Sequence, residues 1–163
     1  MPVWIPFLFL FPEKPFTIIL SQRKEPTLHR PTTEKCLGRT YPDVIRAFRR
    51  YTQLGLDQDR LPPYRKYERI RAVSKNDSEA ASLLAVCDTL RILRLTHKKA
   101  TLSAVRQVWM ARPFALLGRQ EISFRVRKSA FLLFCDDRTI YRYLHTAAEL
   151  YRNILKEDPE ENG

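Results

Sequence analysis

The stretch from Phe131 to Leu155, FLLFCDDRTIYRYLHTAAELYRNIL, constrains this chain more than any other, because its two apolar runs are separated by a pair of aspartates and little else. Asp136 placed as an N-cap offers its carboxylate to the free amides of Arg138 or Thr139, and Asp137 in the first turn suits the positive end of the helix dipole. At about 100° per residue, Ile140, Leu144, Ala147 and Tyr151 then form one apolar stripe, with Arg138, Arg142, His145 and Glu149 on the opposite face. The spacing predicts a helix that packs on one side and offers hydrogen-bond donors on the other.

The chain before it reads as helices with short connections. Val44, Ile45, Phe48, Tyr51 and Leu54 recur at helical spacing over Asp43 to Leu54, with Pro42 near the start and Gly55 as a C-terminal stop. Pro62 and Pro63 reset the chain, after which Tyr64, Tyr67, Ile70 and Val73 mark a second helix with Arg65, Lys66, Arg69 and Arg71 outward. Asn76 followed by Glu79 is a capping-box-like start for a third helix carrying Leu83, Val86, Cys87, Leu90 and Leu93 to about Thr96, expected to be central. Thr101 is a candidate cap for a fourth, with Leu102, Val105, Val108 and Trp109 inside, ending near Arg112 before Pro113. Ile122, Val126, Ala130 and Leu133 define a fifth, with Arg125, Arg127 and Lys128 outward, and Phe134 with Cys135 turn the chain into the Asp136 helix. No segment alternates as a strand does, so the expected fold is all-α: a small helical domain ending in a C-terminal helix-turn-helix.

Organisation follows from composition. The 163 residues suit one domain, expected over 41–155 with the helix-turn-helix at about 120–155. Residues 1–40 open with MPVWIPFLFLFPEKPFTIIL, which has no basic leader or small-residue cleavage site; prolines and the Glu13, Lys14 pair spoil it as a membrane span. That segment reads as disordered or as an over-extended reading frame whose start lies further in. Residues 156–163 read as an acidic flexible tail.

A net charge of +11 favours a polyanionic partner. Cys36, Cys87 and Cys135 are widely spaced, with no paired-cysteine motif and no histidine at zinc spacing, so they read as reduced thiols of a cytoplasmic protein with no bound metal. His29, His97 and His145 stand apart, and the four glycines make no phosphate-cradling loop, so neither catalytic residues nor a cofactor are expected.

AVRQVW (residues 104–109) together with CDDRTIYRYLHTAAELY (residues 135–151) resembles the phage-associated transcriptional regulators of the ArpU and RinA kind, which are similar to region four of bacterial sigma factors. The match spans residues 76–155, and Thr139, Ile140, Tyr141 and Arg142 form its closing signature. The resemblance implies a sequence-specific regulator of prophage or mobile-element genes whose partner is double-stranded DNA, with RNA polymerase a further candidate. It places Arg138, Thr139, Arg142 and His145 toward bases, and Ala130 at the small position of the supporting helix. Two positions depart from the pattern: Phe134 stands where the turn often has Gly or Asn, and the two aspartates replace a hydroxyl cap. From charge and position, Arg125, Arg127 and Lys128 are expected to hold phosphates. The alternative is a helical protein-interaction module docking a polymerase subunit or a phage packaging protein. A third reading, an RNA-binding helical protein, lacks the stacking aromatics and RNP-like strands it would need.

Overall fold

The computed structural model describes residues 41–58 and 60–157, and among these every regular element is helical. The expected N-terminal segment and residues 158–163 lie outside the described residues. The expected acidic tail starts later than 156, since Lys156 and Glu157 still belong to the last helix.

Helix α1 (Pro42–Gln53) begins with proline in its first turn and buries Val44, Ile45, Ala47, Phe48 and Tyr51. It ends in a Schellman turn: the Gly55 amide reaches the Thr52 carbonyl and the Leu56 amide the Tyr51 carbonyl, with Gly55 at φ +70°. Leu56 is thereby turned fully into the core. Helix α2 (Pro63–Val73) is a correction to the expected apolar stripe, because only Ile70 is buried while Tyr64 is 60% exposed. Ile70 and the half-buried Tyr67, which donates to Asp88, hold this helix to α3, and Arg65, Arg69 and Arg71 stay exposed.

Helix α3 (Asp77–Leu95) starts as the sequence predicts, with the Glu79 amide donating to Asn76 Oδ1 at 2.8 Å. The Glu79 carboxylate reaches one residue further back than a capping box requires, accepting from the Lys75 amide at 2.6 Å and from Arg50 Nε at 2.9 Å. Helix α3 closes with His97 in the left-handed region, φ +55°. Helix α4 (Lys99–Val105) continues as one π-helical turn over Arg106–Met110. Thr101 is not its cap: the helix starts two residues earlier and Thr101 is buried in it. The segment AVRQVW straddles the change of winding, and the wider turn sends Val108, Trp109 and Met110 inward together.

Helix α5 (Arg119–Leu132) and helix α6 (Asp137–Glu157) complete the fold. Ile140, Leu144, Ala147 and Tyr151 are all buried, as their spacing predicts, and Tyr141 and Ala148 widen the stripe. The broad stripe explains why α6 packs against α3, α4 and α5 and touches α1, sharing the central place expected for α3. In the middle of the core the Phe48 ring meets Trp109 edge-on at 5.2 Å and Tyr151 at 5.9 Å.

Candidate nucleic-acid interface

The α5–α6 corner is built by two local devices. Helix α5 ends in a Schellman turn in which the Phe134 amide bonds the Phe131 carbonyl and the Cys135 amide the Ala130 carbonyl. Phe134 takes the left-handed position, φ +52°, where glycine would be free of strain, and its ring is 96% exposed. Asp136 then caps α6 by accepting from the Thr139 amide at 2.6 Å. Hydrogen bonds from Thr139, helped by the charges of Arg142 and Arg138, hold the Asp136 carboxyl below the usual carboxylate range. An aspartate thus caps α6 without a hydroxyl, and its charge sits where the helix dipole favours it.

Arg127, Lys128, Arg138 and Arg142, four of the seven expected contact residues, are exposed. Arg138 and Arg142 project from the first two turns of α6, and Arg127 and Lys128 from the outer face of α5. Arg142 Nη2 donates to Thr139 Oγ1 at 2.9 Å, which places these two side chains together one turn apart. Arg127 Nε lies 3.9 Å from Asp137, with 70% of its side chain exposed, so this pair is loose and leaves the cation available.

Two expected contacts are corrected. Arg125 does not face outward: it is 5% exposed, and its Nε bonds Glu121 at 2.7 Å while Nη1 donates to the Val108 carbonyl at 3.2 Å and to the Ala111 carbonyl. The π turn ends with carbonyls that have no helical partner, and the guanidinium supplies their donors. Arg49 does the same for the Pro113 and Ala115 carbonyls, joined at Pro113 by Gln53. Burial and then the nearby Arg125 charge push the Arg49 guanidinium below its ordinary value. His145 is tied to α1, its Nδ1 2.6 Å from the Tyr41 hydroxyl. Arg152, two turns on, covers the same ring at 4.5 Å and pairs with Asp43 at 3.8 Å. Tyr41, which precedes α1, thus engages His145 and Arg152 on α6.

Sequence reasoning missed the apolar part of this corner. Phe124, Phe131 and Phe134 are 63%, 79% and 96% exposed, and Leu132 is half exposed beside them. Phe124, Arg127, Lys128 and Phe131 stand at i, i+3, i+4 and i+7, one outward face of α5 in which aromatics and cations alternate. The signal was present: Ile122, Arg125, Val126, Ser129 and Ala130 make the complementary stripe, and all five are buried. Comparison with family models, with curated proteins and with solved structures found no match.

Elsewhere, an open groove of about 1020 Å³ runs between α1, α3 and α6, crossed by the Arg50–Glu79 pair and lined by none of the expected site residues. Among the described residues no group of His, Cys, Asp and Glu could hold a metal ion, and no helix is long and apolar enough to cross a membrane. Burial pushes the Cys87 thiol up, and burial with the adjacent aspartates does the same at Cys135, which disfavours the thiolate at both.

Proposed function

We propose that this chain binds double-stranded DNA through α5, the 133–136 turn and the first two turns of α6, used as a helix-turn-helix, and that it regulates transcription in the manner implied by its resemblance to phage-associated regulators. The observation that carries the reading is the exposure of Arg127 and Lys128 on α5 and of Arg138 and Arg142 on the first two turns of α6, with Arg127 within 3.9 Å of Asp137 at the start of α6 and Thr139 held against Arg142. Arg127 and Lys128 on the supporting helix suit phosphates, and supply affinity without sequence preference. Arg142, on the outer face of α6, suits a guanine edge in the major groove, and Thr139 beside it a second base or the sugar. His145 and Arg125 are removed from this set, the first because Tyr41 holds it and the second because it is buried. The action is binding, with no chemistry at the site.

The test is fluorescence anisotropy on a duplex selected from a random pool and on its scrambled counterpart, at two salt concentrations. Arg142→Ala is expected to lose about 1–3 kcal/mol on the selected duplex and little on the scrambled one. Arg127→Ala and Lys128→Ala are expected to weaken both alike and to flatten the salt dependence by about one unit for each lost phosphate contact. No binding by the unaltered protein at low salt would overturn the reading. A second reading, docking of a protein partner, is favoured by the phenylalanine face of α5, since a patch of this kind ringed by charge is what interaction surfaces present. It predicts that Phe131→Ser abolishes partner capture with a weak dependence on salt.

A further inference from the structure

A second basic feature lies apart from the α5–α6 corner. Between α2, α3 and the π turn is a cavity of about 170 Å³ lined by Lys66, Arg91, Arg94 and Arg106, with the Tyr67 hydroxyl and Asp57 among its other polar groups. None of the four cations forms an ion pair with a described residue; the nearest engagement is Arg91 Nη1 with the Tyr67 hydroxyl at 3.3 Å. Tyr67 is fixed in place because it donates its own proton to Asp88. Four like charges from three separate elements around one small cavity repel one another, and nothing in the packing of the core requires them there. Asp57 stands among them with a buried Oδ1 that has no hydrogen-bond partner among the described residues. A buried acceptor left this way calls for a donor.

We propose that this cavity binds a phosphate group. Guanidinium forks match phosphate oxygens, and three arginines with one lysine supply charge-assisted donors from several directions. The cavity is smaller than pockets that take drug-sized ligands, so it suits a single phosphoryl group with little else attached. Asp57 sharpens the chemistry. A carboxylate repels a fully ionised oxyanion, but it accepts a hydrogen bond from the P–O–H of a hydrogen phosphate or a singly protonated phosphomonoester. Sulfate carries no such proton near neutral pH, so Asp57 makes the site select phosphate over sulfate. The phosphate group belongs either to a small free molecule or to the terminal phosphomonoester of a nucleic acid; a backbone phosphodiester carries no P–O–H and is disfavoured by Asp57.

The experiment is thermal unfolding of the full chain in inorganic phosphate, in sulfate and in chloride at equal ionic strength, with titration calorimetry for the phosphate affinity. Phosphate is expected to raise the melting temperature saturably, as a ligand of the native state does, and to bind at least tenfold more tightly than sulfate. Asp57→Asn is expected to bring the two anions within about threefold of each other. Arg91→Gln and Arg106→Gln are expected to weaken phosphate binding at least tenfold, yet to melt in chloride no lower than the unaltered protein, because removing one of four like charges relieves repulsion. A merely structural role for these arginines predicts the opposite, a lower melting temperature in chloride. Adding a short DNA duplex with or without a 5′-phosphate separates the two sources: loss of the phosphate response with the phosphorylated duplex alone assigns the site to a nucleic-acid terminus, and its survival with both assigns it to a free phosphate. Equal stabilisation by phosphate and chloride, or an undiminished phosphate response in both arginine variants, would overturn the proposal.

Discussion

Replacing Arg125 by alanine tests the most consequential correction to the sequence reading, because an outward Arg125 would serve DNA binding whereas the buried one serves the fold. The side chain donates to the Val108 and Ala111 carbonyls and pairs with Glu121. Truncation strands two main-chain acceptors at the end of the π turn, each costing about 1–3 kcal/mol when buried without a partner. It also removes the cation facing Glu121, but that carboxylate is 34% exposed and can rehydrate, so little is added there. Loss of the packed aliphatic stem adds a cavity cost on the scale of a large-to-small change. The Ala111 carbonyl is only part-buried and can rehydrate, so the lower ends of these ranges apply and the total is about 3–5 kcal/mol. For a domain of this size each kcal/mol lowers the melting temperature by very roughly 4 °C, so a drop of about 12–20 °C is expected in circular dichroism melts. Arg125→Lys keeps the charge but loses the fork, and is expected to recover less than half of the loss. Arg127→Ala, two residues on and exposed, should melt within about 2 °C of the unaltered protein. If Arg125→Ala melts as the unaltered protein does and instead flattens the salt dependence of duplex binding, the guanidinium is not the buried staple described above.

Leu144→Ala and Ile140→Ala remove fully buried side chains from the inner stripe of α6, and each is expected to destabilise by about 2–4 kcal/mol in urea unfolding; unchanged midpoints for both would mean the stripe is misassigned. Phe134→Gly relieves the left-handed strain at φ +52° while giving back some unfolded-state entropy, so a net gain of about 0.5–1 kcal/mol is expected, and a clear loss would show that the ring packs on the fold. Asp136 and Glu79 both have carboxyls held below their ordinary range, the first by Thr139 and the second by the Lys75 amide and then Arg50. A depressed carboxyl contributes stability that is present above its unfolded value and lost as pH falls through the folded one. Stability is therefore expected to decline below the usual carboxylate range, and the double variant Asp136→Asn, Glu79→Gln to show a shallower decline; parallel acid profiles would sink the assignment.

Much of this molecule is legible in the residues alone, where local rules act without competition. Asn76 and Asp136 cap their helices because a short polar side chain before an apolar period has one good use. Gly55 stops α1 because only glycine enters the left-handed turn without strain, and α6 was readable because Ile140, Leu144, Ala147 and Tyr151 keep one helical period behind an Asp136 cap. Arg138, Arg142, Arg127 and Lys128 could be placed outside for the same reason. What depended on other elements could not be placed. Arg125 lies on the buried side of α5 by periodicity, yet charge argued for solvent, and only the uncapped carbonyls of the neighbouring π turn reversed that preference. His145 has an outward register, but Tyr41 arrives from a helix about a hundred residues earlier and takes it up. The four cations around the α2–α3 cavity are spread over three elements, and nothing in their spacing announces that they meet. Phe124 and Phe131 were assigned to neither face; helix α5 packs through Val126, Ser129 and Ala130, small groups that admit a close neighbour, and that choice turns the rings outward. A sequence dictates which face of a helix is distinct from the other, while only the fold decides which face has something to pack against.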